Sequence, residues 1–271
     1  MPKELDDWHA SEGGYVRRPR LEEYADKYRD YFVMERRDGI LQLRMHTGGG
    51  PATFDFAVHN AWAQAWQEIG NDPDNEVLIL TGTGEEWLTM GDPGFMDRPR
   101  PRDFGYEHTY YDAVKLLENF VFAIDIPTIA AINGPSIAHT EFALLCDLTL
   151  AAETATIVDP HVPTGVAPGD GQQLTLQELI GAKRAAYHLY TGEPIGARQA
   201  LELGLVNEVL PADELLPRAW ELAEIIMRAP RTARRLTHAI VQRPWKRRLV
   251  HDLAFGVAHE MYGIAVERQG A

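Results

Sequence analysis

Three short apolar runs constrain this chain more than any other feature: V-L-I-L-T-G-T (77–83), P-T-I-A-A-I-N-G-P (127–135) and L-T-L-A-A (148–152). None shows polar alternation, and the first two end in glycine, asparagine or proline. A short continuous apolar stretch closed by turn residues reads as a strand buried on both faces. The segments around them have helical spacing. Ala61, Trp62, Ala65, Trp66 and Ile69 recur on one helical face within 57–69, and Asn71-Asp72-Pro73 closes it. Further helices are expected over 109–122, 174–179 and 197–203. Before the first run, Y-F-V-M-E-R-R-D-G-I-L-Q-L-R-M-H places Asp38-Gly39 between two partly alternating apolar segments, a β-hairpin signature. Strands that alternate with helices, followed by a nearly all-helical tail from Ala212, predict an α/β fold. The expected divisions are an N-terminal extension over 1–28, a core over 29–211 and a helical region over 212–271.

The composition narrows the function classes. A formal charge of -14 repels phosphate backbones and anionic lipid, so neither nucleic acid nor membrane is an expected partner. The basic cluster Arg243–Arg248 reads as a solvated helix face or a subunit contact. No apolar run has membrane-spanning length, and the polar, acidic N-terminus is not a targeting peptide, so the expected compartment is the cytoplasm. The lone Cys146 lies within an apolar run and reads as a buried small hydrophobe. The segment 82–86, G-T-G-E-E, lacks the lysine and glycine spacing of a phosphate loop. With no H-E-x-x-H or paired-cysteine motif, no metal and no cofactor is expected.

The loop D-P-H-V-P-T-G-V-A-P-G-D-G (159–171) is too rich in proline and glycine for regular structure, yet it carries His161 and Asp170. Imidazole titrates near neutral pH and makes a ready general base. An aspartate on its other nitrogen would fix the tautomer and stabilise the imidazolium. Asp170 alternatively caps the helix that begins near Gln172. The proline-, glycine- and arginine-rich segment 91–108 is long enough to suggest a functional or mobile loop.

Taken in order, V-L-I-L-T-G-T-G, P-T-I-A-A-I-N-G-P, C-D-L-T-L-A-A-E-T-A-T, the P-x-V-x-x-G-V-x-P-G turn and L-Y-T-G-E-P-I-G-A-R-Q-A-L-E-L-G-L-V-N-E-V-L resemble the crotonase (enoyl-CoA hydratase/isomerase) superfamily. The likeness spans about 31–210 and implies a spiral of stacked ββα turns, a C-terminal helical trimerisation region, and a trimer or dimer of trimers. Two departures matter. Ala138 and His139 stand where CoA-thioester members have small glycines, and His161 stands where a hydratase carries a glutamate. Both departures are similar to the β-diketone hydrolases of the superfamily, which share a histidine after N-G-P, a P-H-x-P-x-G-x-x-P-G-D-G loop and an A-H-E near the C-terminus.

That resemblance implies cofactor-independent hydrolysis of a C–C bond in a cyclic or bicyclic β-diketone. His161 with Asp170 would activate water, His139 would donate to the enolate oxygen, and Glu260 would position water or relay a proton. Each of the last two also has a plain structural reading, as a satisfied core histidine and as one more charged helix residue. Phe54 falls where those enzymes have a tryptophan that contacts the diketone, and a phenyl ring cannot donate a hydrogen bond. Tyr110, Tyr111 and Trp87 are the candidates for the missing donor; Met90 and Phe95 are further pocket-wall candidates, and Glu141 stands near the place of a hydratase's other glutamate. Two other readings stay open: a CoA-thioester hydratase, isomerase or hydrolase, and a non-catalytic assembly protein on the same scaffold.

Overall fold

The computed structural model describes residues 16–91 and 104–270, with side chains to 267. In its first half, α1 (Leu21–Lys27) leads to β1 (Phe32–Arg37), β2 (Ile40–Met45), β3 (Thr53–Phe54), α2 (Phe56–Asn71), β4 (Val77–Thr81) and β5 (Thr89–Met90). A π-helical segment, Gly105–Tyr111, runs into α3 (Asp112–Ala123), followed by β6 (Thr128–Ile132), α4 (Glu141–Leu145), β7 (Leu148–Ala152) and β8 (Thr156–Ile157). Beyond the 159–171 loop come α5 (Gln172–Ile180), α6 (Ala182–Thr191), β9 (Ile195–Gly196), α7 (Ala197–Leu203) and β10 (Glu208–Leu210). The chain closes with α8 (Ala212–Met227), α9 (Arg231–Val241) and α10 (Arg243–Gly270).

The main sheet has the order β1-β2-β4-β6-β7-β10. The β1–β2 hairpin turns at Asp38 and Gly39, both with positive φ, and is antiparallel. Every later pairing in this sheet is parallel. The expected buried strands are these: all five residues of β4 and all five of β6 are buried. Two-sided burial explains why their sequences do not alternate. On one face, Trp62, Trp66, Phe120 and Phe142 pack edge to face, with ring centroids 5.1–5.9 Å apart. On the other face, Leu215, Ala219 and Ala223 of α8 cover Ile79, Ile129 and Leu150.

Both outer divisions expected from the sequence shift. The N-terminal extension ends in a docked helix: Tyr24 of α1 is fully buried, and its hydroxyl donates to Asp72 Oδ2 at 2.9 Å. The helical region does not begin as an appendage either, since α8 is the second layer of the sheet. Its later helices are pinned through Asp147, whose carboxylate accepts from the Thr128 amide (2.8 Å), Gln242 Nε2 (3.0 Å) and His238 Nδ1 (2.7 Å). Among the described residues, no helix is long and apolar enough to cross a membrane.

The site forms beyond the carboxyl ends of the parallel strands, where a sheet of this kind opens a crevice. The turn after β6 packs so tightly that a Cβ on Gly134 would lie 1.8 Å from the Glu85 carbonyl oxygen. That contact sets the course of the chain into His139, which is itself held at φ 51°.

Candidate active site

His139 and His161 face one cavity of about 490 Å³. Its wall also includes Phe54, Met90, Glu141, Asp159, Asp170 and Glu260. Among the described residues that line it there is no lysine or arginine.

His161 opens the 3₁₀ turn Val162–Thr164. Asp159, two residues earlier, accepts from the His161 amide at 3.0 Å and bonds its Nδ1 at 2.9 Å. This is an Asx turn that also orients the ring. The orienting partner is therefore Asp159, a residue the sequence reading passed over, whereas Asp170 sits on the other side of the ring. Asp170 Oδ2 lies 3.5 Å from His161 Nε2, and Glu260 Oε1 lies 3.9 Å from the same nitrogen. The three atoms all fall within 4.8 Å of one another. A water placed among them sits about 2.8 Å from each, at hydrogen-bond distance.

Asp170 does not cap the following helix. Gly171 occupies the N-cap of α5, without a side-chain cap, and its amide donates instead to Gln173 Oε1. Asp170 Oδ1 is buried with no partner among the described residues, and so is Glu260 Oε2.

Burial alone would lower the pKa of His161, but Asp170, Asp159 and Glu260 together raise it to about 10. The expectation that this imidazole titrates near neutral pH does not hold, because three carboxylates surround it. Glu260 is pushed up to about 8, first by burial and then by the charge of Asp170.

Glu260 arrives from α10. Gly256, one turn earlier, meets Gly169 backbone to backbone: a Cβ on Gly169 would lie 2.2 Å from the Gly256 carbonyl oxygen. A Cβ on Gly256 would lie 2.5 Å from that of Gly169. Only glycine on both sides allows this approach, which places the carboxylate of Glu260 against the loop that carries His161.

Across the cavity, His139 is almost wholly buried and both its ring nitrogens are engaged. Nδ1 bonds Glu141 Oε1 at 2.6 Å, and Nε2 meets His59 Nε2 at 2.9 Å. Burial would lower the pKa of His139, but the Glu141 carboxylate more than offsets it. Burial raises Glu141, and His139 pulls it back. His59 is held well below the usual range, by burial and then by the adjacent charge of His139. The consistent assignment is an imidazolium at His139, donating to Glu141 on one side and to neutral His59 on the other. Phe54 packs against both imidazoles, with centroids 4.8 and 5.0 Å away.

His59 was missed from the sequence because it lies on the apolar stripe of α2, three residues before Trp62 and seven before Trp66. A histidine at that spacing was the available signal. Three pocket candidates move away. Trp87 is fully buried, and its indole N–H is committed to the His139 carbonyl oxygen at 3.3 Å. Tyr110 packs on the core, while Tyr111 is largely exposed; neither lines the cavity. Phe95 lies outside the described residues. In their place α10 supplies Met261 and Ile264.

The family model for enoyl-CoA hydratase/isomerase matches residues 35–266. The chain thus belongs to that family, the crotonase superfamily, as its parallel sheet and C-terminal helices also indicate. It is 32% identical to a crotonyl-CoA hydratase from Syntrophomonas wolfei over 206 residues, covering 74% of this chain and 76% of the relative. Among solved structures, a β-diketone hydrolase from the cyanobacterium Anabaena, bound to (S)-3-oxocyclohexyl acetic acid, superposes with a TM-score of 0.85 at 35% identity. That match covers 93% of this chain and 100% of the other. An enoyl-CoA hydratase/isomerase from Mycobacterium paratuberculosis follows at a TM-score of 0.80 and 25% identity, covering 86% and 93%.

Proposed function

We propose that this protein hydrolyses a C–C bond of a cyclic or bicyclic β-diketone without a cofactor. The observation that carries the reading is the placement of a water-sized triangle, His161–Asp170–Glu260, on the same cavity as the His139 imidazolium. Water held in the triangle gives a proton to His161 Nε2 while its oxygen adds to one carbonyl carbon. The C–C bond then breaks, and its electron pair moves onto the second carbonyl as an enolate. His139 turns its Nε2–H from His59 to that oxygen, so a preformed positive charge meets a developing negative one. Glu260, held protonated near neutral pH by its raised pKa, supplies the proton to the enolate carbon. The sum is diketone plus water giving a keto acid. The Anabaena neighbour's ligand is itself a ring ketone with a carboxylate, the pair of groups such a cleavage leaves.

The alternative is CoA-thioester chemistry, favoured by the hydratase relatives and by Glu141 in the cavity wall. Against it stand the engagement of Glu141 by His139 and, among the described residues, a lining without cationic side chains for a polyanionic carrier. Incubation with cyclic 1,3-diketones and, separately, with crotonyl-CoA tests the two. Loss of the diketone ultraviolet band with release of a keto acid supports the proposal; turnover of the thioester alone sinks it. Exposed Leu236, Ile240, Val250, Phe255 and Tyr262 on α9 and α10 support assembly with further copies of the chain.

Below its pKa of about 10, the basic form of His161 grows about tenfold per pH unit, whereas protonated Glu260 declines above about 8. The diketone rate should therefore rise through pH 7, level near 8 and fall beyond about 10. A rate independent of pH between 6 and 8 contradicts the assignment. Separately, Gly256→Ala forces α10 off the 169 loop, at a stability cost of about 1–3 kcal/mol. Because Glu260 moves with it, turnover should drop at least about tenfold, read from kcat beside a denaturation curve.

A further inference from the structure

We propose that His161 Nε2, Asp170 Oδ2 and Glu260 Oε1 form a binding site for one divalent transition-metal ion of the zinc class, whose occupancy excludes the water and proton-accepting roles of the same atoms. The ligand set is one imidazole nitrogen and two carboxylate oxygens, which suits zinc better than magnesium or calcium. Around a tetrahedral zinc with bonds of about 2.1 Å, ligand atoms lie about 3.4 Å apart. Here the nitrogen lies 3.5 Å from one oxygen and 3.9 Å from the other, and all three atoms fall within 4.8 Å, so capture needs them to close by up to about 1.4 Å.

Three further observations point to a cation. Asp159 holds Nδ1 of the same ring, which aims Nε2 at the triangle; metal-bound histidines share this carboxylate support. Glu260 is 9% exposed, and its second oxygen, like Asp170 Oδ1 and Asp159 Oδ2, is buried without a partner among the described residues. Among the described residues, the cavity lining sets these carboxylates against no lysine or arginine. The ligands come from the two ends of the 159–171 loop and from α10, so no sequence motif announces them.

The ion is an inhibitor in this proposal, because a coordinated Nε2 cannot accept a proton from water. Chelator-treated protein titrated with zinc by calorimetry should take up one ion per chain, and cobalt(II) should give the visible bands of a four-coordinate site. His161→Ala and Asp170→Asn, each checked for folding by circular dichroism, should both weaken uptake at least about hundredfold. Zinc should suppress diketone turnover, and a chelator should restore it. The proposal is overturned by the absence of saturable uptake, by uptake unchanged in both variants, or by turnover that rises with zinc. Binding is read without substrate, so a failure of the diketone reading leaves this test intact.

Discussion

His161→Ala is expected to slow diketone hydrolysis by about 10³-fold, with KM little changed, as removal of a general base typically does. Asp159→Asn should cost nearly as much. An asparagine amide offers Nδ1 a donor in place of a carboxylate, which favours the tautomer with its proton on Nε2, where water should lose one. The Asp159 Oδ1 contacts to the His161 amide and ring are what make this second effect large. Asp170→Asn should do less to the orientation of the ring, because the closest Asp170 oxygen is 3.5 Å away, beyond good hydrogen-bond range. Steady-state rates of the three variants decide the order; an Asp159→Asn enzyme at near-normal kcat would falsify the orienting role.

The second large effect lies across the cavity. Glu141→Gln removes the anion that holds His139 as an imidazolium, and His139→Ala removes the donor itself. Each should lower kcat/KM by about 10²–10³-fold, the usual loss for one donor to a developing oxyanion. The double variant should be scarcely worse than either single one, because the two residues act as a unit. Additive losses in that cycle would show that Glu141 and His139 serve different steps.

Much of the frame was legible because it depends on local pattern. The continuous runs 77–81 and 128–132 could be buried strands and little else, and Asp38-Gly39 announced its hairpin. Helix α6 escaped because it is short and rich in alanine, with only Ala185, His188 and Leu189 buried. The site was half legible. His161 and Asp170 stood out from their loop, His139 and Glu260 came through a resemblance, and all four share one cavity. The partners that set their charge were not, for two physical reasons. Asp159 is close in sequence, but its role depends on a turn that folds it back on the ring. His59 sits 80 residues from His139, so nothing in spacing could pair them. Trp87 was misplaced for the converse reason: aromatic side chains near a site serve the core as readily as the pocket.

The last turns of α10 carry a separate implication. Past Glu260, the helix lends Met261 and Ile264 to the cavity, while His139, His161 and the residues hydrogen-bonded to their rings sit on the core loops, α2 and α4. On α10 itself, Glu260 faces the triangle while Met261 and Ile264 shape the cavity wall beside it. Changes at 261 and 264 can reshape the cavity without replacing either histidine, so the C-terminal helix is where this scaffold can vary what it admits.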